Sequence, residues 1–232
     1  MTAFFPLYAN IAGKCCVVVG GGTVAERKVN DLLEAGAKVR VVSPEITLRL
    51  QEQVKAGVLE WLPIGYTPNT IEDAWLVFAA TNVRSVNAQI AHEANARRLF
   101  VNVVDAPEEG SFIVPSVVRR GDLCLSVSTG GANPMLARRI AEELQGHYGQ
   151  EYSLLVELLG YMRAYTKERT FLPALRREAL SQLIAQEADL RALLRAGDIA
   201  GARSQAEMIV TTAIALRANA TDPVASVTNN LE

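Results

Sequence analysis

The sequence contains little of what a metal site needs, with only three cysteines and two histidines among its 232 residues. No pair of cysteines has C-x-x-C spacing, and neither histidine has ligand spacing, so we expect no permanent metal site. Cys15, Cys16 and Cys124 lie in apolar, strand-like runs and are predicted to be buried thiols. His92 is predicted to be solvated on a surface helix, and His147 to lie near the end of another helix.

An excess of positive charge is also missing, since 23 lysines and arginines face 25 acidic residues and the net charge is −2. Nucleic acids and membrane surfaces attract basic proteins, so we expect neither as a partner. The amino terminus lacks a basic leader with an apolar core, and no uncharged run is long enough to span a bilayer. We therefore expect a soluble cytoplasmic protein, and a hydrophobic content of 50% is ample for a buried core.

What the sequence does contain is a glycine-rich turn that follows a β-branched run. Gly20-x-Gly22-x-x-Ala25 matches the dinucleotide fingerprint in its alanine-ended form. Gly20 allows the tight turn, Gly22 lets the backbone approach a pyrophosphate, and the small Ala25 packs helix against strand. The helix that begins here would present the amides of Thr23 and Val24 to the phosphates. Taken alone, the turn could equally be a strand-to-helix connection without a ligand.

The flanking residues favour the nucleotide interpretation. Residues 15–19 form an apolar run typical of a buried strand, and a helical pattern follows until Gly36. Residues 39–42 then begin a second strand, which completes a βαβ unit. Further strand-like runs at 58–62, 75–80 and 100–104 alternate with helices. The expected fold is therefore α/β, with a doubly wound parallel sheet of Rossmann type covered on both faces.

The pattern changes after about residue 110. Residues 111–118 and 123–128 are predicted strands joined by a turn too short for a crossover, so they should pair antiparallel. From residue 151 onward only helical periodicity is present. We predict four parts: an NAD-binding domain at 1–112, a dimerisation segment at 113–148, a helical domain at 149–218, and a disordered tail at 219–232 that ends in a cloning remnant.

The end of the second predicted strand departs from ordinary dehydrogenases. An acidic residue usually holds the ribose hydroxyls there, whereas this chain has Ser43, Pro44 and Glu45. The Ser43 hydroxyl can bond a ribose, and Glu45 can reach it. Ser43 and Pro44 also predict the start of a helix, with serine as N-cap. Arg40 is close enough in sequence that it could bind the 2′-phosphate of NADP, so NADP remains an alternative. We favour NAD over NADP.

Two polar residues follow core strands at the edge where such sheets bind ligands. Thr81 follows the fourth strand and is assigned to the cofactor site. Asp105 follows the fifth strand, and no other carboxylate is predicted at this edge directly after a core strand. A carboxylate in this position could serve as a proton acceptor. The alternative is that it caps the turn before Pro107.

A second glycine turn precedes the helix that starts at Pro134. It could form an anion-binding nest, or be an ordinary connection capped by its asparagine. Its candidate substrate-binding residues are Ser128, Thr129, Gly130, Gly131 and Asn133. Nearby arginines could assist, or form a solvated face with acidic partners: Arg119, Arg120, Arg138 and Arg139.

Taken together, these motifs resemble the precorrin-2 dehydrogenase family, which occurs free-standing or as the amino-terminal module of siroheme synthase. The resemblance covers about residues 4–148. The motifs that carry it are 20–28, 79–81, 101–107, 112–115 and 128–134. This chain departs from many members at Asn82, where they have aspartate, and at Ala106, where some have a second acid. The departures concern local cofactor and metal contacts.

The resemblance implies oxidation of precorrin-2 to sirohydrochlorin with reduction of NAD, and in bifunctional members also insertion of ferrous ion. The family's catalytic aspartate falls on Asp105. The resemblance further implies a homodimer built through the segment after about residue 112, with the active site in a cleft beside the nucleotide domain. A substrate with eight carboxylates suits the second glycine turn. We expect the free-standing form, because no methyltransferase module follows.

Two functions of other classes remain open. One is a regulatory module that senses NAD without turnover, and the other is a tetrapyrrole carrier or metal chaperone. The first gives no role to Asp105 or to the second glycine turn, and the second gives none to the fingerprint.

Overall fold

The computed structural model describes residues 4–220, with side chains to residue 217. Within this range the chain forms two compact units. The first contains residues 4–115 and Ser128–Pro134, and the second contains Ser116–Val127 and residues 135–220. None of the helices in residues 4–220 has the length and apolar character needed to cross a membrane.

A five-stranded parallel sheet forms the centre of the first unit, as predicted. Its strands are β1 (Cys15–Val19), β2 (Lys38–Val42), β3 (Glu60–Leu62), β4 (Leu76–Ala79) and β5 (Phe100–Val103). They are hydrogen-bonded in the order β3-β2-β1-β4-β5. The order reverses between β1 and β4, and the crevice at such a reversal is where doubly wound sheets bind ligands.

Helices cover both faces of this sheet. They are α1 (Thr23–Glu34), α2 (Leu48–Lys55) and α3 (Arg84–Ala96), with short 3-10 helices at Pro68–Ile71 and Pro107–Glu109. Alternate residues of β1 point to opposite faces. On one face Val18 packs in a cluster with Val29 of α1, and on the other Val19 packs with Ile90 of α3. The sheet therefore has a buried hydrophobic cluster on each of its faces.

One predicted helix start is wrong. Ser43 is not an N-cap, because its hydroxyl donates to the Glu45 carbonyl oxygen at 2.7 Å and closes a turn instead. Helix α2 begins at Leu48, with Thr47 as its N-cap. The Thr47 hydroxyl oxygen accepts from the Leu50 amide at 3.2 Å, which satisfies one of the free donors of the first turn.

A two-stranded antiparallel sheet lies in the second unit, formed by β6 (Ser116–Arg120) and β7 (Leu123–Val127). Gly121 adopts φ of +56° at the first position of the two-residue turn, as a type II′ hairpin requires. The strand predicted to begin at residue 111 is shorter than expected. Its early part is a loop, because the Ser111 amide donates to the Val101 carbonyl at 2.8 Å and Pro115 has no amide to donate.

The remaining helices are α4 (Pro134–His147), α5 (Glu151–Arg169), α6 (Pro173–Ala185), α7 (Glu187–Arg195) and α8 (Ile199–Ala220). Their predicted helical character is confirmed. Helices α5 to α8 share one core, in which Met162, Leu183, Leu190 and Val210 are fully buried. Helix α8 includes residues 219 and 220, the first two of the predicted tail, and residues 221–232 lie outside the described part of the chain.

Candidate functional site

The three glycines after β1 have different structural roles. Gly20 adopts φ of +127°, and a Cβ atom there would lie 2.3 Å from the Ala80 carbonyl oxygen. A Cβ atom at Gly21 would lie 1.9 Å from the Glu45 carbonyl oxygen. At Gly22, by contrast, a Cβ atom would meet nothing within 4 Å. The protein itself therefore requires Gly20 and Gly21, whereas Gly22 leaves a space that a ligand can enter.

Helix α1 presents its amino terminus to this space. Gly22 is the N-cap, and the first helical hydrogen bond runs from the Glu26 amide to the Gly22 carbonyl at 2.9 Å. The amides of Thr23, Val24 and Ala25 precede that bond and point along the helix axis. Because glycine has no side chain that could cap them, these amides suit a pyrophosphate. The geometry fits a dinucleotide.

Ser43 lies beside this turn at the end of β2. Its carbonyl accepts from the Trp61 indole nitrogen at 2.9 Å, and its amide donates to the Leu62 carbonyl at 3.2 Å. The hydroxyl hydrogen is directed to Glu45, so the Ser43 hydroxyl can only accept from a ribose. Pro44 and Glu45 are exposed. Glu45 is therefore an exposed carboxylate beside the cofactor turn.

Arg40 is committed elsewhere. Its guanidinium donates to Glu60 at 2.7 Å and to both carboxylate oxygens of Asp73, at 2.5 and 3.2 Å. The bond to Asp73 is the main reason that the pKa of Arg40 is raised above its usual value. A guanidinium paired with two carboxylates is a poor partner for a 2′-phosphate. This arrangement supports the preference for NAD over NADP.

Asp105 is placed at the ligand edge of the sheet, two residues after the end of β5. Its Oδ1 atom accepts from Asn87 Nδ2 at 2.9 Å, and its Oδ2 atom lies 3.9 Å from Arg84 Nε. The side chain is 38% exposed, so a substrate can reach it. The N-cap of the following 3-10 helix is Ala106, which argues against Asp105 as a turn cap. The Arg84 guanidinium also pairs with Glu109, and mainly for this reason its pKa is raised.

Asn87 was missed in the sequence analysis, although it joins two of the residues predicted there. It is fully buried and binds both Thr81 and Asp105. A signal was present: Asn87 lies three residues before Ile90 and four before Ala91, and therefore on the apolar face of α3. A polar residue in such a position must find hydrogen-bond partners inside the protein. Here its partners are the carboxyl ends of two strands.

The second glycine turn uses much of its own hydrogen-bonding capacity. The Gly130 amide donates to the Ser128 hydroxyl, and the Asn133 amide donates to the Thr129 hydroxyl, each at 3.0 Å. The Ala132 amide donates to the Thr129 carbonyl at 3.1 Å. Three amides of the predicted nest are thus already engaged. The two hydroxyls accept these bonds and can still donate their own hydrogens to an anion.

Most of the nearby arginines have structural partners. Arg120 donates to the Tyr148 and Gln145 carbonyls at 2.8 and 3.2 Å, which stabilises the end of α4. Arg138 and Arg139 pair with acidic residues one turn later, as their alternative interpretation predicted. His147 Nδ1 lies 3.0 Å from the Glu143 carbonyl oxygen. Substrate binding therefore cannot be assigned to these groups from their placement.

The cysteines and histidines contribute little to the site. Only Cys16 of the three cysteines is fully buried, and burial raises its pKa to about 11. The prediction of burial is wrong for Cys15 and Cys124, which are partly exposed. His92 is exposed. Across residues 4–220, histidine, cysteine, aspartate and glutamate side chains form no group of three or more that could hold a metal ion.

Known proteins resemble this chain across both units. Residues 7–116 match a family model described as "Putative NAD(P)-binding". Siroheme synthase 3 of Aeromonas hydrophila is 38% identical over 206 residues, which is 89% of this chain and 44% of that protein. Siroheme synthase 2 of Yersinia enterocolitica is 39% identical over 165 residues, 71% of this chain and 35% of that protein. The chain thus spans less than half the length of these relatives.

A solved structure, described as "SirC, precorrin-2 dehydrogenase", matches with a TM-score of 0.72 and 26% identity. The match covers 88% of this chain and all of that protein. The similarity therefore extends well beyond the Rossmann sheet that many unrelated enzymes share.

The open space at Gly22 leads to a prediction. Replacing Gly22 with valine should leave a folded chain, because its Cβ meets nothing within 4 Å, but should block the pyrophosphate. Calorimetry should show that NAD affinity falls below detection. Gly65→Val is the matched control, since a Cβ atom there also meets nothing within 4 Å. If the Gly22 variant binds NAD as the Gly65 variant does, this turn is not the cofactor site.

Proposed function

Because this chain belongs to the family of precorrin-2 dehydrogenases and siroheme synthases, we propose that it oxidises precorrin-2 to sirohydrochlorin with NAD. The observation that carries the proposal is the meeting of two features at one sheet edge. A helix amino terminus with an open glycine follows β1, and the exposed carboxylate of Asp105 follows β5. One feature suits a dinucleotide, and the other suits proton transfer.

The cofactor site comprises the turn and the ends of β2 and β4. The amides of Thr23 and Val24 bind the pyrophosphate, with Gly20 and Gly22 shaping the approach. Ser43, Pro44 and Glu45 would hold the ribose, and Thr81, which follows β4, would contact another part of the cofactor. When bound, NAD supplies the acceptor for a hydride.

Asp105 is the proton acceptor in this proposal. Desaturating a reduced macrocycle removes a proton as well as a hydride, so a base must stand beside the hydride acceptor. The Oδ2 atom of Asp105 can take that proton, while Oδ1 stays bonded to Asn87. If the protein also inserts Fe²⁺ as a second substrate, the same carboxylate can assist in deprotonating the pyrrole nitrogens.

The carboxylates of precorrin-2 are assigned to the second glycine turn. Ser128 and Thr129 offer hydroxyl donors, while Gly130, Gly131 and Asn133 shape the loop around them. The loop belongs to the same compact unit as the cofactor turn, which supports a shared role. A module that only senses NAD has no use for these hydroxyls or for Asp105. The presence of both features favours the enzyme.

The proposal includes a homodimer located in the cytoplasm. Within residues 4–220, strands β6 and β7 form a two-stranded sheet, and the edges of such sheets are usually paired or covered. Val117 of β6 is 41% exposed and Met135 of α4 is 83% exposed, which suits a symmetric interface. The three free thiols fit a reducing compartment.

The enzyme proposal is tested with purified protein, precorrin-2 and NAD under anaerobic conditions. We expect NADH and the absorbance of sirohydrochlorin to appear together. Asp105→Asn keeps an acceptor oxygen for Asn87 but removes the base, so the rate should fall ~10²-fold or more while NAD still binds. Glu108→Gln removes a neighbouring exposed charge and should retain the rate. Absence of NADH with the unchanged protein would disprove the dehydrogenase, and a normal rate in Asp105→Asn would disprove the base.

The dimer is tested by light scattering at micromolar concentration. We expect twice the mass of the chain, because a second copy would cover the two-stranded sheet of β6 and β7. Val117→Arg places a charge on this sheet and should shift the mass towards the monomer. Val58→Arg, at a residue of the first unit with 50% exposure, should remain dimeric. A monomeric unchanged protein would contradict the proposal.

A further inference from the structure

The Asn87 side chain is a fully buried amide whose two polar atoms are both bonded. Its Oδ1 atom accepts from the Thr81 hydroxyl at 2.7 Å and from the Thr81 amide at 3.2 Å. Its Nδ2 atom donates to the Thr81 carbonyl at 3.0 Å and to Asp105 Oδ1 at 2.9 Å. One side chain of α3 thus ties the end of β4 to the residue that follows β5.

The backbone of Thr81 determines which way this amide faces. The Thr81 N–H can only donate and the Thr81 carbonyl can only accept, so Asn87 Oδ1 must face the first and Nδ2 the second. The second hydrogen of Nδ2 then points at Asp105, where it needs an acceptor. Asp105 Oδ1 therefore stays an acceptor, and any proton that Asp105 takes up belongs on Oδ2.

We propose that Asn87 is the positioning residue of the site: it holds Asp105 Oδ1 and leaves Oδ2 free to exchange the proton with the substrate. The inference rests on the proposed role of Asp105 as base. Without the bond, the carboxylate could rotate, and either oxygen could turn towards Arg84 or the solvent. Asn87 also orients Thr81, so one amide aligns the cofactor edge and the base together.

Three charged side chains lie around Asp105, and a substitution at Asn87 leaves all three in the chain. Arg84 faces it from α3, and Glu108 and Glu109 lie on the turn that follows β5. None of them can replace the Nδ2 donor, because Arg84 Nε is 3.9 Å from the other carboxylate oxygen and its guanidinium is paired with Glu109.

Asn87→Asp tests this role with little change of shape. The new carboxylate retains acceptors for the Thr81 amide and hydroxyl, but it can donate to Asp105 or to the Thr81 carbonyl only when it carries a proton. Two carboxylates at this distance share one proton at low pH and repel each other when both are ionised. We expect the rate per NAD-binding site, relative to the unchanged protein, to fall about 10-fold or more between about pH 5 and pH 8. NAD affinity and the unfolding temperature are measured alongside.

Asn102→Asp is the matched control. Asn102 is also almost buried, with 8% exposure, but its Nδ2 atom donates to the Phe112 carbonyl at 3.0 Å and not to Asp105. It should show no such loss of relative rate with rising pH. If both variants show it, or neither does, Asn87 is only a structural residue. An inactive unchanged protein would overturn the proposed function and this inference together.

A second variant covers the case in which Asn87→Asp does not fold. The double variant Asn87→Asp/Asp105→Asn restores one donor and one acceptor across the same 2.9 Å. It should regain part of the unfolding temperature and NAD affinity that Asn87→Asp loses, because the Thr81 carbonyl still lacks its donor. It should not regain turnover, since the carboxylate is now in the wrong place. A double variant as unstable as the single one would show that the two side chains are not coupled, and would overturn the inference.

Discussion

The hydrogen-bonded register of β1, β4 and β5 determines where the cofactor turn, Thr81 and Asp105 lie. Val19, Ala79 and Val103 are partners across these strands, so the strands end together at one edge. The Ala80 amide continues this ladder to Val19, and the Val104 amide continues it to Ala79. A slip of one residue would turn each following side chain to the other face. The cofactor turn, Thr81 and Asp105 depend on this alignment.

Some residues of the site are fully engaged in contacts within the protein, whereas others are accessible to a ligand. Gly20 and Gly21 allow backbone to meet backbone, while Gly22 and the amides after it face open space. Asn87 has all its bonds inside the protein, while half of the Asp105 carboxylate stays available. Groups bonded within the protein thus hold in place the groups that are open to a ligand. A site formed in advance in this way avoids the entropic cost of ordering these groups on binding.

The parallel sheet was predictable because buried strands and amphipathic helices have distinct periods, and those periods alternate clearly as far as residue 110. The helix start predicted at Ser43 was wrong because the local sequence fits a helix cap. The structure shows that the Ser43 hydroxyl donates to the Glu45 carbonyl instead. The structural roles of Gly21 and Asn87 were not predicted, because their partners, Glu45 and Asp105, are distant in sequence. The sequence also did not predict that amides of the second glycine turn are already hydrogen-bonded. Here the reason is local, because the neighbouring Ser128 and Thr129 hydroxyls accept these hydrogen bonds in place of a ligand.

The central claim is that one sheet edge brings the hydride acceptor and the base together. A crystal structure of the chain with NAD bound tests this most directly. The account predicts that the pyrophosphate lies against the amides of Thr23 and Val24, and that the nicotinamide passes Thr81 and ends facing Asp105. A nicotinamide that ends on the far side of the sheet edge, out of reach of any substrate held at Asp105, would contradict it.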